Sequence, residues 1–172
     1  ASSVPHELTN QLKKCIGPAE ETLCIPPVCY TSEEHLALEF ELIFQRKWIG
    51  IGHTGRFKVS GDFETMEIGG VPIIVVRNKT GKLCAYANSC RHRGARLLDG
   101  EGNCSGIRCP FHSWAYKLDG TLVGVPGIEK MPDFDKSKYG LVEFGVAEVS
   151  DLGFVCLDQQ RSSIENQLGD FE

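Results

Sequence analysis

Two short segments contain the residues of this sequence that are best suited to metal chemistry. One is Cys90-Arg-His92-Arg-Gly94, the other is Cys109-Pro-Phe-His112, and 16 residues separate His92 from Cys109. Each segment offers one thiolate and one imidazole, which are ligands for soft and borderline metal ions. Both segments also contain turn-forming glycine or proline, so both are expected to be loops. We therefore predict that Cys90, His92, Cys109 and His112 together bind a metal centre.

A single zinc ion is the first alternative, because two cysteines and two histidines form a common tetrahedral zinc site. Paired ligands in structural zinc sites are usually separated by two or more residues, which lets the chain turn both side chains onto one ion. Here a single residue, Arg91, separates Cys90 from His92. This C-x-H spacing suits ligands that reach two different metal ions, so it favours a dinuclear centre and leaves zinc as the alternative.

The chain contains eight cysteines, which raises the alternative of a disulfide framework. Disulfide-rich chains are mostly short and secreted, and no signal-peptide pattern is visible at the start of this sequence. We therefore expect free thiols in addition to the metal ligands. Cys84 and Cys156 fall on predicted strands and are expected in the core, Cys104 is expected in an exposed turn, and Cys24 and Cys29 are expected to be unpaired.

Composition sets limits on the class of protein. The 172 residues are 41% hydrophobic and 24% charged, as in ordinary globular domains. The formal net charge is −5 and no basic stripe occurs, which argues against nucleic acid as a partner. No apolar run approaches the roughly 20 residues that a membrane span needs. We therefore expect a cytoplasmic protein with neither nucleic acid nor membrane as a partner.

The sequence predicts helices first and short strands afterwards. One helical pattern ends at Gly17-Pro18, and a second is expected at 32–46 with Thr31 as its N-cap. Predicted hairpins join 73–77 to 83–87, 115–118 to 121–123, and 141–144 to 146–149, with a last strand at 153–157. The segment 50–55 matches G-x-G-x-x-G but lacks a following helix, so a turn is expected there. Such strands indicate a small antiparallel sandwich or barrel.

The two metal-binding segments resemble a known family. Cys90-Arg-His-Arg-Gly94, followed by Cys109-Pro-Phe-His-Ser-Trp-Ala-Tyr116, is similar to the Rieske domain of ring-hydroxylating non-haem iron oxygenase large (alpha) subunits. The resemblance extends upstream to Glu41-Leu-Ile-Phe44, Trp48 and Gly52-His53, and it covers about residues 30–170. It implies a mainly β fold, in which a Rieske antiparallel β-sandwich or barrel with two cluster-binding loops follows a helical leader. The implied boundaries are 1–47 for the leader, 48–160 for the Rieske domain, and 161–172 for a connection to an absent catalytic domain.

The resemblance also implies a cofactor and its ligands. In a Rieske [2Fe–2S] cluster two cysteines bind one iron and two histidines bind the other. The implied pairs are Cys90 with Cys109 and His92 with His112. Respiratory Rieske proteins usually have a further disulfide between their loops, and Ala95 and Phe111 stand at those positions here. Ser113 is a departure, because the family usually has glycine there.

The implied function is one-electron transfer. Oxygenases of this family also use a mononuclear Fe(II) held by two histidines and a carboxylate, and no histidine follows His112 in this sequence. We therefore expect that iron in the absent catalytic domain. The implied electron donor is an NAD(P)H-dependent reductase or a ferredoxin, and the implied acceptor is the neighbouring oxygenase subunit. The parent enzyme would hydroxylate or demethylate a small organic compound, aromatic compounds included, using O2. A stand-alone Rieske ferredoxin is the alternative.

Overall fold

The computed structural model describes residues 4–169. Residues 1–3 of the predicted leader and residues 170–172 of the predicted connection lie outside the described residues. The helices are α1 (His6–Lys13), α2 (Val28–Thr31), α3 (Glu33–Glu39) and α4 (Glu165–Leu168), and a π-helical turn at Phe40–Phe44 continues α3. Short 3-10 turns occupy Thr54–Arg56, Ile128–Lys130 and Lys136–Tyr139. No helix in the described part of the chain is long and apolar enough to cross a membrane.

Ten strands follow the first helices within residues 4–169. They are β1 (Ile49–His53), β2 (Asp62–Ile68), β3 (Val71–Arg77), β4 (Leu83–Ala87), β5 (Glu101–Asn103), β6 (Ile107–Arg108), β7 (Ala115–Tyr116), β8 (Leu122–Gly124), β9 (Glu143–Val149) and β10 (Leu152–Cys156). Seven of these strands form one antiparallel sheet in the order β1-β10-β9-β4-β3-β2-β5, and the other three form a small sheet in the order β6-β7-β8. The predicted mainly β class is therefore confirmed.

The predicted helix at 32–46 is present as α3 and its π-helical turn, but Thr31 is not its N-cap. Ser32 has extended backbone angles, and its Oγ accepts a hydrogen bond of 3.2 Å from the amide of His35. Thr31 instead ends α2, and its Oγ1 donates to the carbonyl of Pro27. A proline suits the start of a helix, so the chain begins a separate turn after Pro27 and the capping position moves one residue on.

The structure confirms two predicted hairpins and corrects the third. β3 pairs with β4 and β7 pairs with β8, both antiparallel. The expected break between 141–144 and 146–149 does not occur, because Gly145 lies within one continuous strand, β9. A side chain there would meet that of Arg161, so this glycine makes room for a neighbour and does not form a turn. The turn comes later, at Ser150 and Asp151, which both have positive φ.

The G-x-G-x-x-G segment is mostly strand. β1 covers its first part, with an irregular register between Gly50 and Gly52 where it pairs with β10. A 3-10 turn begins at Thr54, so the predicted turn is correct for the second part alone. The amide of Gly55 donates to Nδ1 of His53 at 2.9 Å, which gives this histidine a local structural role.

Alternation along β3 and β4 divides the interior into two cores. Ile73 and Val75 face one core with Val155, and Ile74 and Val76 face the other. Successive residues of a strand point to opposite faces, so two buried faces produce this continuous apolar run. The second core also contains Ile107, Tyr116, Leu118 and Leu122 of the small-sheet region, together with Cys90 and Cys109. The predicted metal-binding segments therefore lie at the end of a packed core.

The segment after β10 is attached to the start of β1. The side chain of Gln167 in α4 accepts from the amide of Trp48 and donates to its carbonyl, both at 2.8 Å. The indole Nε1 of Trp48 donates to the carbonyl of Ser162 at 2.9 Å. These three bonds fix the direction in which the chain leaves the sheet.

Candidate metal centre

The second cysteine loop (residues 109–114) connects β6 to β7. These two strands pair directly at its base, with Ile107 opposite Tyr116. Within the loop the amide of Cys109 donates to the carbonyl of Trp114 at 2.8 Å, and the amide of Ser113 donates to the carbonyl of Cys109 at 3.1 Å. The loop is therefore a tight hairpin end held by strand pairing.

The first cysteine loop (residues 90–95) has the same internal hydrogen bonds. The amide of Cys90 donates to the carbonyl of Ala95 at 2.8 Å, and that of Gly94 donates to the carbonyl of Cys90 at 2.9 Å. In both loops the fourth residue after the cysteine is left-handed, with φ of 76° at Gly94 and 57° at Ser113. The two loops are thus matching backbone units, although the histidine is the second residue after Cys90 and the third after Cys109.

All four predicted ligands line one cavity of about 360 Å³ between the two loops. Cys90 and Cys109 are buried, with 3% and 2% of their surface exposed, whereas His92 and His112 are exposed. The two cysteines line the same cavity, and the two imidazole rings lie 4.8 Å apart between centroids. The structure therefore places a sulfur pair on the inner side and an imidazole pair on the outer side.

This arrangement bears on the number of metal ions. In the described residues, no group of three or more histidine, cysteine, aspartate or glutamate side chains is arranged around one ion. The four donors are arranged as two pairs of unlike chemistry. A tetrahedral zinc site needs all four donors around one point, whereas a mixed [2Fe–2S] cluster needs one pair for each iron. The donor set and its arrangement fit the cluster.

Several donors surround the sulfurs. Burial raises the pKa of the Cys109 thiol, but the backbone amides of His112 and Phe111 and the Cys90 side chain favour the thiolate, so its pKa is below the ordinary value. The hydroxyl of Tyr116 accepts from the amide of Arg91 at 3.1 Å and lies 3.3 Å from Cys90 Sγ. Burial, followed by the contact with Cys90, raises the pKa of Tyr116. The phenol therefore stays protonated, and its O–H can donate a hydrogen bond to the Cys90 sulfur.

An aromatic group supports the outer side. Trp114 stacks on His92, with 4.9 Å between ring centroids and 16° between ring planes. Phe134 and Tyr139 pack edge-on against Trp114, at 5.7 and 5.8 Å. The position of Trp114 and Tyr116 at a strand start predicts that one of the two packs beneath a cysteine loop, and the structure places both in the core beside the loops.

The other predicted positions are resolved as follows. Cys84 and Cys156 are buried, which confirms the expectation for both. Cys104 is half-buried against the core and not in an exposed turn, and burial raises the pKa of its thiol. Asn103 immediately before it ends β5, and Cys104 packs against the core that contains Cys90 and Cys109. Cys24 and Cys29 are free thiols.

Two contributors to the site lie outside the residues that the sequence predicts as ligands. The Tyr116 hydroxyl contacts Cys90, which is 26 residues away, so no local pattern indicates the contact. Asn88 is 2% exposed and makes three side-chain hydrogen bonds. A polar turn residue directly after the apolar strand β4 and just before a ligand cysteine is the signal that was available.

Comparison with known proteins places this fold and site in a family. The family model of the Rieske [2Fe–2S] domain matches residues 47–135. That match covers more than half of the chain, and the chain belongs to the Rieske [2Fe–2S] domain family. The family has a [2Fe–2S] cluster as its cofactor.

The relatives are large oxygenase subunits. The large subunit of anthranilate 1,2-dioxygenase from Acinetobacter baylyi is 42% identical over 170 residues, covering 95% of this chain and 36% of that protein. The oxygenase subunit of carnitine monooxygenase from Escherichia coli is 37% identical over 155 residues, covering 90% and 41%. Naphthalene 1,2-dioxygenase from Rhodococcus sp. superposes with a TM-score of 0.84 at 31% identity, covering 96% and 39%. The chain thus spans about two fifths of the length of these proteins and corresponds to their Rieske-containing part.

Proposed function

We propose that Cys90 and Cys109 hold the inner iron of the Rieske cluster, and that His92 and His112 hold the outer iron. The observation that carries this assignment is the separation of a buried sulfur pair from an exposed imidazole pair around one cavity. A zinc site would need the four donors around a single point, whereas here the sulfurs and the imidazoles form two separate pairs, one buried and one exposed.

When bound, a [2Fe–2S] cluster supplies reversible one-electron oxidation and reduction. The residues of this chain supply the surroundings. The amides of Phe111 and His112 direct positive dipoles at Cys109, and the Tyr116 hydroxyl does so at Cys90. Hydrogen bonds to sulfur stabilise negative charge there and so favour the reduced state. The buried sulfurs keep solvent away, and the exposed imidazoles are the part of the site that a partner protein can touch.

The function that follows is electron transfer within an oxygenase. The donor is an NAD(P)H-dependent reductase or a ferredoxin, and the acceptor is the mononuclear iron of a neighbouring oxygenase subunit. Arg91 and Arg93 are exposed beside His92, so the outer rim is positive in a chain of net charge −5. Oppositely charged surfaces speed and orient such encounters. The named relatives, subunits of a dioxygenase and a monooxygenase, support an oxygenase that acts on a small organic compound. The reaction that we propose is hydroxylation or demethylation with O2.

The domain boundaries fit the same proposal. We propose the boundaries 1–47 for a helical leader, 48–160 for the Rieske domain and 161–172 for a connection to a catalytic domain, of which the structure describes residues 4–169. The helices α1 to α3 precede residue 45, and the bonds between Gln167 and Trp48 give that connection a defined starting direction.

Metal analysis and electron paramagnetic resonance (EPR) of the purified chain test the proposal. We expect two irons and two acid-labile sulfides per chain, a red-brown colour, and the low average g value of a Rieske cluster after reduction. A colourless protein containing zinc, or an iron–sulfur cluster with the spectrum of all-cysteine ligation, would contradict it. The reading frame after residue 172 separates the oxygenase from a stand-alone ferredoxin: the proposal expects a downstream two-histidine, one-carboxylate set.

A further inference from the structure

The two cysteine loops have the same internal hydrogen bonds but are closed at the base in different ways. The second loop lies between β6 and β7, which pair with each other. The first loop lies between β4 and β5, which do not pair with each other in the described sheet: β4 pairs with β3 and β9, and β5 pairs with β2. Backbone hydrogen bonds between β6 and β7 therefore hold the base of the second loop, whereas β4 and β5 supply no such bonds at the base of the first.

The side chain of Asn88 makes the hydrogen bonds at the base of the first loop that strand pairing makes at the base of the second. Oδ1 of Asn88 accepts from the amides of Leu97 and Leu98, at 2.9 and 3.1 Å. Its Nδ2 donates to the carbonyl of Leu98 at 2.8 Å. These bonds join the residues just before the first loop to those just after it. Strand pairing would supply the same donors and acceptors from a backbone, so Asn88 acts as a one-residue substitute for a paired strand.

Asn88 is itself held firmly. It is 2% exposed, and its own amide donates to the carbonyl of Pro72 in β3 at 2.8 Å. Leu97, whose amide donates to this side chain, is 5% exposed and packs in the same core as Cys90. Both ends of the link are thus anchored to the packed interior. A buried amide with its bonds made is rigid, and losing it leaves buried backbone groups without partners.

We propose that Asn88 is a positioning residue for the cluster: it closes the first cysteine loop so that Cys90 and His92 face the second loop. This inference rests on the ligand assignment proposed above. Without Asn88 the first loop keeps its internal bond between Cys90 and Ala95 and its contacts with the Tyr116 hydroxyl, but none of these joins the residues before the loop to those after it. The base of the loop then widens, and the positions of Cys90 and His92 relative to the second loop vary.

Asn78 offers a matched control. It is also a buried asparagine, 8% exposed, and its Oδ1 accepts from the amides of Thr80 and Lys82 at 2.9 and 3.0 Å. It closes the turn between β3 and β4, away from both cysteine loops. Replacing either asparagine removes the same kind of side-chain bonds from a buried loop, but Asn88 alone of the two adjoins a ligand segment.

The experiment compares Asn88→Ala with Asn78→Ala in the cluster-containing full chain. The measured quantities are the rate at which a ferrous chelator removes iron from the dithionite-reduced protein, and the g values and linewidth of the EPR spectrum. We expect Asn88→Ala to release iron about 10- to 100-fold faster than wild type and to broaden the spectrum, as for other residues that support metal ligands. Asn78→Ala should stay within about twofold of wild type, since distant sites act independently.

A milder variant keeps the test decisive if Asn88→Ala yields no folded protein. Asn88→Gln keeps an amide but moves it by one methylene, so it weakens the bonds to Leu97 and Leu98 without burying a charge. It should release iron faster than Asn78→Gln by several-fold, and an equal rate in the two variants overturns the inference. Equal iron release and equal spectra for the two alanine variants overturn it as well. A wild-type chain without a histidine-ligated cluster is a different result, because it contradicts the ligand assignment itself.

Discussion

The first and second cysteine loops show how one backbone shape is reached by two routes. Both have the same pair of internal hydrogen bonds and a left-handed fourth residue, Gly94 in one and Ser113 in the other. The first is closed by the side chain of Asn88 and the second by strand pairing. The first sulfur also has a side-chain partner, Tyr116, whereas the second has backbone donors. Side-chain substitutions should therefore affect the first loop more than the second.

The largest effect on the cluster is expected from replacing the cysteine of either loop, and the two loops should respond alike. Replacing Cys90 or Cys109 with serine removes one inner ligand, so each variant should lose the cluster and its visible absorption. Cys84→Ser is the matched control, because Cys84 is also buried but lies on β4, outside both loops. Iron content and the visible spectrum measure the result. A variant at Cys90 or Cys109 that keeps a full cluster would contradict the equivalence of the loops.

The next largest difference between the two loops is expected from substitutions at their left-handed residues, Gly94 and Ser113. Gly94→Ala forces a side chain into a conformation that disfavours it, and we expect a loss of about 1–2 kcal/mol in unfolding free energy. Ser113→Gly relieves the same kind of strain but increases the conformational entropy of the unfolded chain. We therefore expect a gain of roughly 0–1 kcal/mol in unfolding free energy. Thermal unfolding of the cluster-containing protein measures both changes.

Gly81→Ala provides the control for this pair. Gly81 also has positive φ, and an added Cβ would meet no neighbouring atom there, but it lies in the turn between β3 and β4. It should destabilise the fold as much as Gly94→Ala without changing the EPR spectrum. An unchanged melting temperature in Gly94→Ala would show that the left-handed geometry of the first loop is not required.

The Tyr116 hydroxyl provides a smaller difference, because it contacts Cys90 Sγ and also accepts from the amide of Arg91 in the first loop. Tyr116→Phe removes the hydroxyl beside Cys90 and should lower the midpoint potential by roughly 40–80 mV, which corresponds to a hydrogen bond that is about 1–2 kcal/mol stronger in the reduced than in the oxidised state. Tyr86→Phe is the control, because this buried hydroxyl bonds instead to the carbonyl of Leu118. Protein-film voltammetry measures both. Equal shifts in the two variants would mean that the Tyr116 contact does not tune the cluster.

The smallest effect should come from the charge of the first loop. Arg91 and Arg93 are exposed, and the second loop has Pro110 and Phe111 in the corresponding stretch. Replacing both arginines with glutamine removes positive charge near the outer pair and should lower the potential by roughly 20 mV at low salt. The shift should shrink at high ionic strength, because exposed charges are screened. A shift that does not depend on salt would point to a structural change instead.

Sequence predicted the parts of the molecule that local chemistry determines. The hairpin between β3 and β4 and the burial of Cys84 and Cys156 depend on residue type and short-range spacing and are confirmed. The ligand role of Cys90, His92, Cys109 and His112 stays a prediction, although the structure brings all four to one cavity. Other features depend on partners that are distant in sequence. The straight course of β9 through Gly145 reflects the position of the Arg161 side chain. The sulfur contact of Tyr116 likewise joins segments that meet only in the folded protein.

The outer pair of ligands can be tested by a single spectroscopic measurement. Pulsed EPR of the reduced protein, with histidine labelled with ¹⁵N, detects nitrogen atoms bound to the iron. We predict strong couplings from two histidine nitrogens in the wild-type chain and the loss of this two-nitrogen pattern when either His92 or His112 is replaced. Strong coupling from fewer than two histidines in the wild-type chain, or an unchanged pattern in either variant, would contradict the proposed ligation.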